Sequence, residues 1–358
     1  MVSKFDIQSS PLVSIIVPFY NSFDTIERCL LSVQNQSYIN FEIIVVDDCS
    51  NESFSDVFLS FIEDDNRIKC ITHSKNRGVS YARNTGIQNS IGDFIYFLDA
   101  DDWIDKNALN DLTKNIKNSQ LCVAPHMQYL GEGNVRKKSY FFEEKNSILD
   151  EDLIYKYVIN YLKVPYKFIM FVHCWNKLYL AKIIKENKIL FNTELSQLED
   201  VNFNFKYLKF VNNIYYSNTY EYFHFIANKS SSASGLAGTE NFSDSKCDMA
   251  FLSVYEFLSL TEKISPIEKQ HLLRHHFAST AIIYLIRLTR RFINNPNYEN
   301  YIYIKKWIKS DILKINIDFY KVQKNESYLL SFAIKLRIVS LFICICFFRI
   351  QIINLFNK

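Results

Sequence analysis

Glycine is scarce in this chain, with 7 in 358 residues. Loops that cradle phosphates bring glycine backbone close to the ligand, and the segment after the first apolar run, Pro18-Phe19-Tyr20-Asn21, contains none. That excludes a Gly-x-Gly-x-x-Gly dinucleotide site and a P-loop there. The eight cysteines are scattered and form no Cys-x-x-Cys pair, which argues against zinc ribbons and thioredoxin-type chemistry. An imbalance of charge is missing too. With 41 Lys+Arg against 38 Asp+Glu and a net charge of +3, the chain has no electrostatic case for binding nucleic acid. Met1 to Ser10 is polar and lacks the apolar core of a signal peptide, so a cytoplasmic, reducing setting is expected. Ile338 to Phe348, apolar apart from Ser340, is shorter than the roughly 20 residues a bilayer-spanning helix needs.

What remains is a repeated pattern. Apolar, β-branched runs at 11–17, 41–46, 68–72 and 94–98 alternate with segments of helical spacing at 25–34, 54–62 and 79–89. Such alternation predicts a mostly parallel sheet covered on both faces, with Pro18 ending the first strand. In such a sheet ligands bind beyond the carboxyl ends of the strands. Tyr20, Asp48, Arg77 or Arg83, Asp99 and Asp101 all fall at or just after those ends. The last run, Phe94 to Leu98, exits into Asp99-Ala100-Asp101-Asp102. Crowded carboxylates repel, so they need a cation, a proton or strong donors to coexist. Read alone, Asp102 or Asp105 would simply cap a helix starting near Lys106, and Asp48 the helix after it.

Four segments in order, Val17-Pro18-Phe19-Tyr20-Asn21, Val45-Val46-Asp47-Asp48-Cys49-Ser50, Asn76-x-Gly78-x-x-x-Ala82-Arg83-Asn84-x-Gly86 and Asp99-Ala100-Asp101-Asp102, resemble the successive motifs of family 2 glycosyltransferases with the GT-A fold. Trp175-Asn176-Lys177-Leu178-Tyr179, followed by Glu199-Asp200, carries the resemblance to about residue 230. It implies that Pro18, Tyr20 and Asp48 line a nucleobase pocket with Arg83 beside it. Asp99 would face the ribose and share a divalent metal, Mn2+ or Mg2+, held on the diphosphate by Asp101. The donor would be a nucleotide-diphosphate sugar, with UDP expected. The family usually places glycine before Glu-Asp, where this chain has Leu198, and often Arg near the position of His224.

Sugar transfer to a hydroxyl needs a base within hydrogen-bond reach of the acceptor. Asp200 is the candidate, with Glu199 positioning the acceptor or the Asp200 loop; alternatively the pair caps a helix through Tyr207. Trp175 is either a wall of the sugar or acceptor pocket or a core residue. His224 is either a further metal ligand or a partly buried imidazole, and Lys229, in the small polar loop 228–235, is a candidate to pair with the diphosphate. His271 and His275 lie four apart on one helix face, but Arg274 between them and the lack of a Glu argue against a zinc site. One base and no evident nucleophile imply single displacement with inversion.

The expected organisation is an α/β GT-A domain over 1–235, with a nucleotide half at 1–105 and an acceptor half at 106–235. A helical region at 236–358 follows. Within it, 327–358 is expected to rest in plane on the anionic inner face of the membrane or to dock on the protein's own core. The acceptor would then be a glycan or lipid-linked glycan in surface polysaccharide assembly. Two other readings stay open, a nucleotidyltransferase of similar fold and a non-catalytic membrane-bound scaffold that binds nucleotide sugars.

Overall fold

A computed structural model describes residues 10–51, 65–116, 119–131, 134–138, 147–165, 167–226, 244–260, 262, 264–322 and 328–356, and at 244–250, 312 and 350–356 the backbone alone. The helix expected at 54–62, and Lys229 with its loop, lie outside the described residues.

The first four strands are β1 (Val13–Phe19), β2 (Phe41–Asp47), β3 (Ile68–Thr72) and β4 (Phe94–Phe97), parallel in the order β3-β2-β1-β4. Both faces of β1 and β4 are buried, as continuous apolar runs require. Helix α1 (Phe23–Gln34) buries Ile26, Cys29, Leu30 and Val33. α2 (Val79–Asn89) lies against β1, and Gly86 is what allows that approach: a Cβ there would meet Ile16 Cγ2 at 2.3 Å. Contrary to expectation, β1 runs through Pro18. Its ladder with β4 ends at Ile16 opposite Phe97, and Pro18 faces that side beyond the last pair, so its missing N–H costs no bond.

The sheet continues through β10 (Lys177–Leu180), β6 (Leu121–Val123), β11 (Ile214–Tyr216) and β9 (Ser147–Leu149), with β10 antiparallel to both neighbours. The extended segment 121–129 divides at Ala124-Pro125. Its first part is β6 and its second, β7 (His126–Tyr129), joins β5 (Trp103–Ile104), β8 (Val135–Lys138) and β12 (Tyr222–Phe225) in a smaller second sheet. Asn176 Nδ2 donates to the carbonyls of Ala124 and Pro125, at 2.8 and 2.9 Å, and so satisfies the break. Helices α3 (Ala108–Ile116), α4 (Glu151–Lys163), α5 (Ala181–Glu186) and α6 (Glu199–Leu208) complete this part.

From Asp244 onward the described chain is helical: α7 (Asp244–Ser259), α8 (Pro266–Asn294), α9 (Tyr298–Ile308), α10 (Asp311–Ile317), α11 (Tyr328–Lys335) and α12 (Val339–Phe356). From Phe277 onward these helices carry a second hydrophobic cluster, while Val254, Phe257 and Leu258 of α7 and Leu272 of α8 join that of the sheet. Residues 328–356 form two helices, α11 and α12. α11 and α12 break at Leu336–Ile338, where Arg337 is left-handed (φ 55°). Leu330, Ala333, Ile334, Val339, Phe342 and Cys346 are buried in the cluster, while Tyr328, Leu329, Phe332, Leu336 and Phe348 face outward. Among the described residues no helix is long and apolar enough to cross a membrane.

Candidate active site

The carboxyl ends of β1, β2 and β4 open on one edge. At the β1 exit Tyr20 is 40% exposed. The next residue, Asn21, is left-handed (φ 50°) and tied to the β2 exit: its N–H donates to Ser50 Oγ (2.9 Å) and its Oδ1 accepts from Asn51 N (2.9 Å). Asp48 is buried and holds the Arg77-Gly78 turn that leads into α2. It accepts from the backbone N–H groups of Arg77 (3.0 Å) and Gly78 (2.6 Å) and contacts His73 Nδ1 (2.8 Å). With both oxygens held by the chain itself, Asp48 shapes this edge through the Arg77-Gly78 turn.

Arg83 is the hub. Only 4% exposed, it donates from Nη2 to Asp99 Oδ1 and from Nη1 to Asp200 Oδ1, each at 2.9 Å, with Glu199 Oε1 3.7 Å from Nη1. One guanidinium fork therefore joins the acid after β4 to the acids that open α6, over a hundred residues later. Asp200 Oδ2 also accepts from Cys174 N (3.0 Å). Burial, with Asp200 beside it and Arg83 opposing, pushes the Glu199 carboxyl up to about 7.

The three acids after β4 separate by environment. Asp99 is partly exposed. Burial and then the Asp99 charge push Asp101 up to about 6. Asp102 is not merely a local turn residue. Its N–H closes a turn on Asp99 O (3.0 Å), but its buried carboxyl accepts from Tyr222 Oη (2.5 Å) and Phe225 N (2.7 Å) of β12. It thereby fastens the second sheet to the acidic exit.

Trp175 does not present a ring face to a ligand. His173 stacks on one side (4.6 Å, 14°) and Tyr222 on the other (4.6 Å, 7°), leaving the indole 3% exposed. Around this stack stand His126, 4.8 Å from the Trp175 ring, and His224, at 5.2 Å. Burial lowers the His224 pKa, opposed by Asp99, and its buried Nδ1 has no hydrogen-bond partner among the described residues. Burial, then Lys177 and His224, push His173 down to about 3.

Asp99 and Asp101 are the hard oxygen donors that Mg2+ or Mn2+ prefers. Asp99 and Asp101 fit part of a cation's shell, whose remaining ligands would come from a diphosphate. No group of three or more His, Cys, Asp or Glu is gathered for a metal among the described residues. His275 is engaged elsewhere, with Nε2 at Lys163 O (2.9 Å) and Nδ1 accepting from Lys321 N (3.1 Å). It holds no metal site with His271, which packs on Phe319.

Residues 14–187 match the sequence profile of "Glycosyl transferase family 2". The chain carries a family 2 glycosyltransferase domain. The glycosyltransferase GlyA of Streptococcus pneumoniae serotype 4 is 32% identical over 181 residues, 49% of this chain and 25% of that protein. The poly(ribitol-phosphate) beta-N-acetylglucosaminyltransferase TarP of Staphylococcus aureus (strain N315) is 28% identical over 312 residues, 85% of this chain and 88% of its own. Aligned with three curated relatives at 31–32% identity, the chain covers 59%, 25% and 55% of their lengths. The crystal structure of S. aureus TarS residues 1–349 with UDP superposes with a TM-score of 0.64, at 20% identity, covering 95% of this chain and 91% of that one. At that identity the likeness speaks for the fold, GT-A with a helical C-terminal part.

Of the candidate residues, Arg83, Asp99, Glu199 and Asp200 meet, and Trp175 meets His224. Tyr20, Pro18 and Asp48 stay at the neighbouring strand exits. Sequence reasoning gave no role to Lys177, although a lysine opening an apolar strand is a signal. Its side chain is fully buried and donates to His173 O (2.6 Å) and Trp175 O (3.3 Å), and burial pushes its pKa down to about 8. His173, before Cys174, and Tyr222 were also passed over, since only the stacking on Trp175 reveals them.

Proposed function

We propose that the protein is an inverting, metal-dependent glycosyltransferase moving a sugar from a nucleotide diphosphate, with UDP as the nucleotide, to a hydroxyl of a glycan or lipid-linked glycan in surface-polymer synthesis. The observation that supports it best is the Arg83 fork, which ties a carboxylate on the donor side, Asp99, to the candidate base, Asp200, at the carboxyl edge of the sheet. Pro18 and Tyr20 border the nucleobase, with Asp48 fixing the turn beside them. Asp99, Asp101 and His224 would hold Mn2+ or Mg2+, and Lys229 would pair with phosphate. When bound, the metal supplies Lewis-acid neutralisation of the departing diphosphate. Asp200 takes the acceptor proton; each carboxylate oxygen has a second lone pair, so the bonds to Arg83 and Cys174 leave room for a hydroxyl. Glu199 orients the acceptor.

The domain division at about residue 235 belongs to the same reading, as does a location at the cytoplasmic face of the membrane. The outward Tyr328, Leu329, Phe332 and Leu336 of α11 and the turn after it suit a lipid surface, with Lys335 and Arg337 beside them paired to Asp318 and Asp311. Titrating UDP calorimetrically with and without Mn2+ tests the donor site: Mn2+ should tighten UDP in the wild type and not in Asp101→Ala. Equal Mn2+ dependence in both removes Asp101 from the metal site. Product mass spectrometry with a panel of nucleotide sugars identifies the donor. Flotation of Leu329→Asp/Phe332→Asp with anionic vesicles tests the lipid contact, which fails if the variant floats like the wild type.

A further inference from the structure

Four of the left-handed non-glycine residues, Asn21, Cys49, Asn176 and Leu198, each adjoin a residue of the proposed site. Strained backbone of this kind persists where surrounding structure over-determines it. Asn tolerates the conformation by bonding locally, but leucine has no such means. Leu198 (φ 60°, ψ 12°) stands directly before Glu199 and Asp200, and its carbonyl accepts from Asn202 N (2.9 Å) to open α6. No side chain caps that helix start.

What holds Leu198 is packing. Its partly buried side chain touches both hydrophobic clusters, that of the sheet and that of the C-terminal helices, a position shared with Phe251 of α7. The second cluster is built on Phe277, Ala281, Ile282 and Leu285 of α8, among others. α8 is in turn fixed to α4 by His275 on Lys163 O and by His276 against Tyr161 (ring centroids 4.5 Å apart). The helical region is thus fastened to the catalytic turn as well as to the domain's flank.

We infer that Leu198 is a positioning residue: its side chain, clamped by the C-terminal helices, fixes the turn that aims Glu199 and Asp200. This rests on the reading of Asp200 as the base. Glycine at 198 would keep the backbone conformation at no steric cost and remove the clamp, so Leu198→Gly isolates the side chain's contribution. With the UDP-sugar that the wild type turns over fastest, Leu198→Gly should lower kcat about tenfold or more, since a small misplacement of a reacting group is that costly. The donor KM and the calorimetric affinity for UDP should stay at wild-type values. Leu198→Met, which refills the space, should restore kcat. Hydrogen exchange should quicken at the amides of 199–203 in Leu198→Gly and not in α2. Wild-type kcat in Leu198→Gly overturns the inference, and so does a parallel loss of kcat, UDP affinity and melting temperature. Asp200→Asn is the control: if it turns over like the wild type, the base assignment itself fails, whatever Leu198→Gly does.

Discussion

Replacing Arg83 by methionine, which keeps the length of the side chain and deletes its charge, should unsettle this domain more than any other single change at the site. The guanidinium makes two bonds of 2.9 Å, to Asp99 and Asp200, and lies 3.7 Å from Glu199. Removing it leaves three carboxylates facing one another around a space that is almost closed to water. Breaking a buried ion pair from one side costs about 3–5 kcal/mol, because the partner charge stays buried without compensation. With roughly 2.1 cal/mol/K of unfolding entropy per residue, a chain of 358 residues converts that loss into a fall of about 4–7 °C in melting temperature. Calorimetric melting at pH 8 measures it directly. Arg83→Lys should fall in between, since it restores a charge but cannot bridge two carboxylates with one planar fork. Part of the deficit should be relieved at pH 5.5, where Glu199, already raised and deprived of the Arg83 charge that opposed the rise, is protonated. A change below about 1 kcal/mol at pH 8, the usual value of an exposed pair, would refute the reasoning, as would a deficit that grows on acidification.

Glu199→Gln should be stabilising at alkaline pH. The native carboxyl titrates near 7 against 4.5 for the free group, so between those values the folded chain keeps a proton that the unfolded chain has lost. Stability therefore declines as pH rises through that window. Chemical denaturation should show Glu199→Gln ahead of wild type by about 1–3 kcal/mol at pH 8 and level with it at pH 4.5; the reverse order would contradict the burial of the group. Tyr222→Phe removes the 2.5 Å bond to the buried Asp102 and should cost about 1.5–3 kcal/mol in urea denaturation, with β12 exchanging its amide hydrogens first. Gly92→Ala should be harsher than its size suggests. The new Cβ would lie 2.7 Å from Ser14 N and 2.8 Å from Leu12 O, backbone atoms that cannot step aside, and a loss of about 1–3 kcal/mol is expected in the same assay.

The sequence by itself determined the four parallel strands β1 to β4 and the edge that carries the candidate site. Runs such as Phe94 to Leu98 are buried on both faces and have no other use than as central strands, and the alternation with helices forces their carboxyl ends to one side. Asp99, Asp101 and Asp48 therefore fall on that edge by pattern alone. The start of α4 is equally local, with the Asp150 carboxylate accepting from Leu153 N at 3.0 Å. Tertiary structure alone decided what each side chain touches. Trp175, open by sequence between a pocket wall and a core residue, is the middle of a stack. Asp102 looked like a cap, yet it grips a strand 120 residues away. Arg83 and Asp200 are 117 residues apart in the chain, and no periodicity links them. Spacing encodes which face a residue takes on its own element, because backbone geometry repeats locally. Contacts between elements depend on how whole faces pack, and that is set by the summed fit of many side chains rather than by any short stretch. Leu198 shows the limit most plainly: nothing in its sequence neighbours tells that its left-handed backbone sits where two hydrophobic clusters meet.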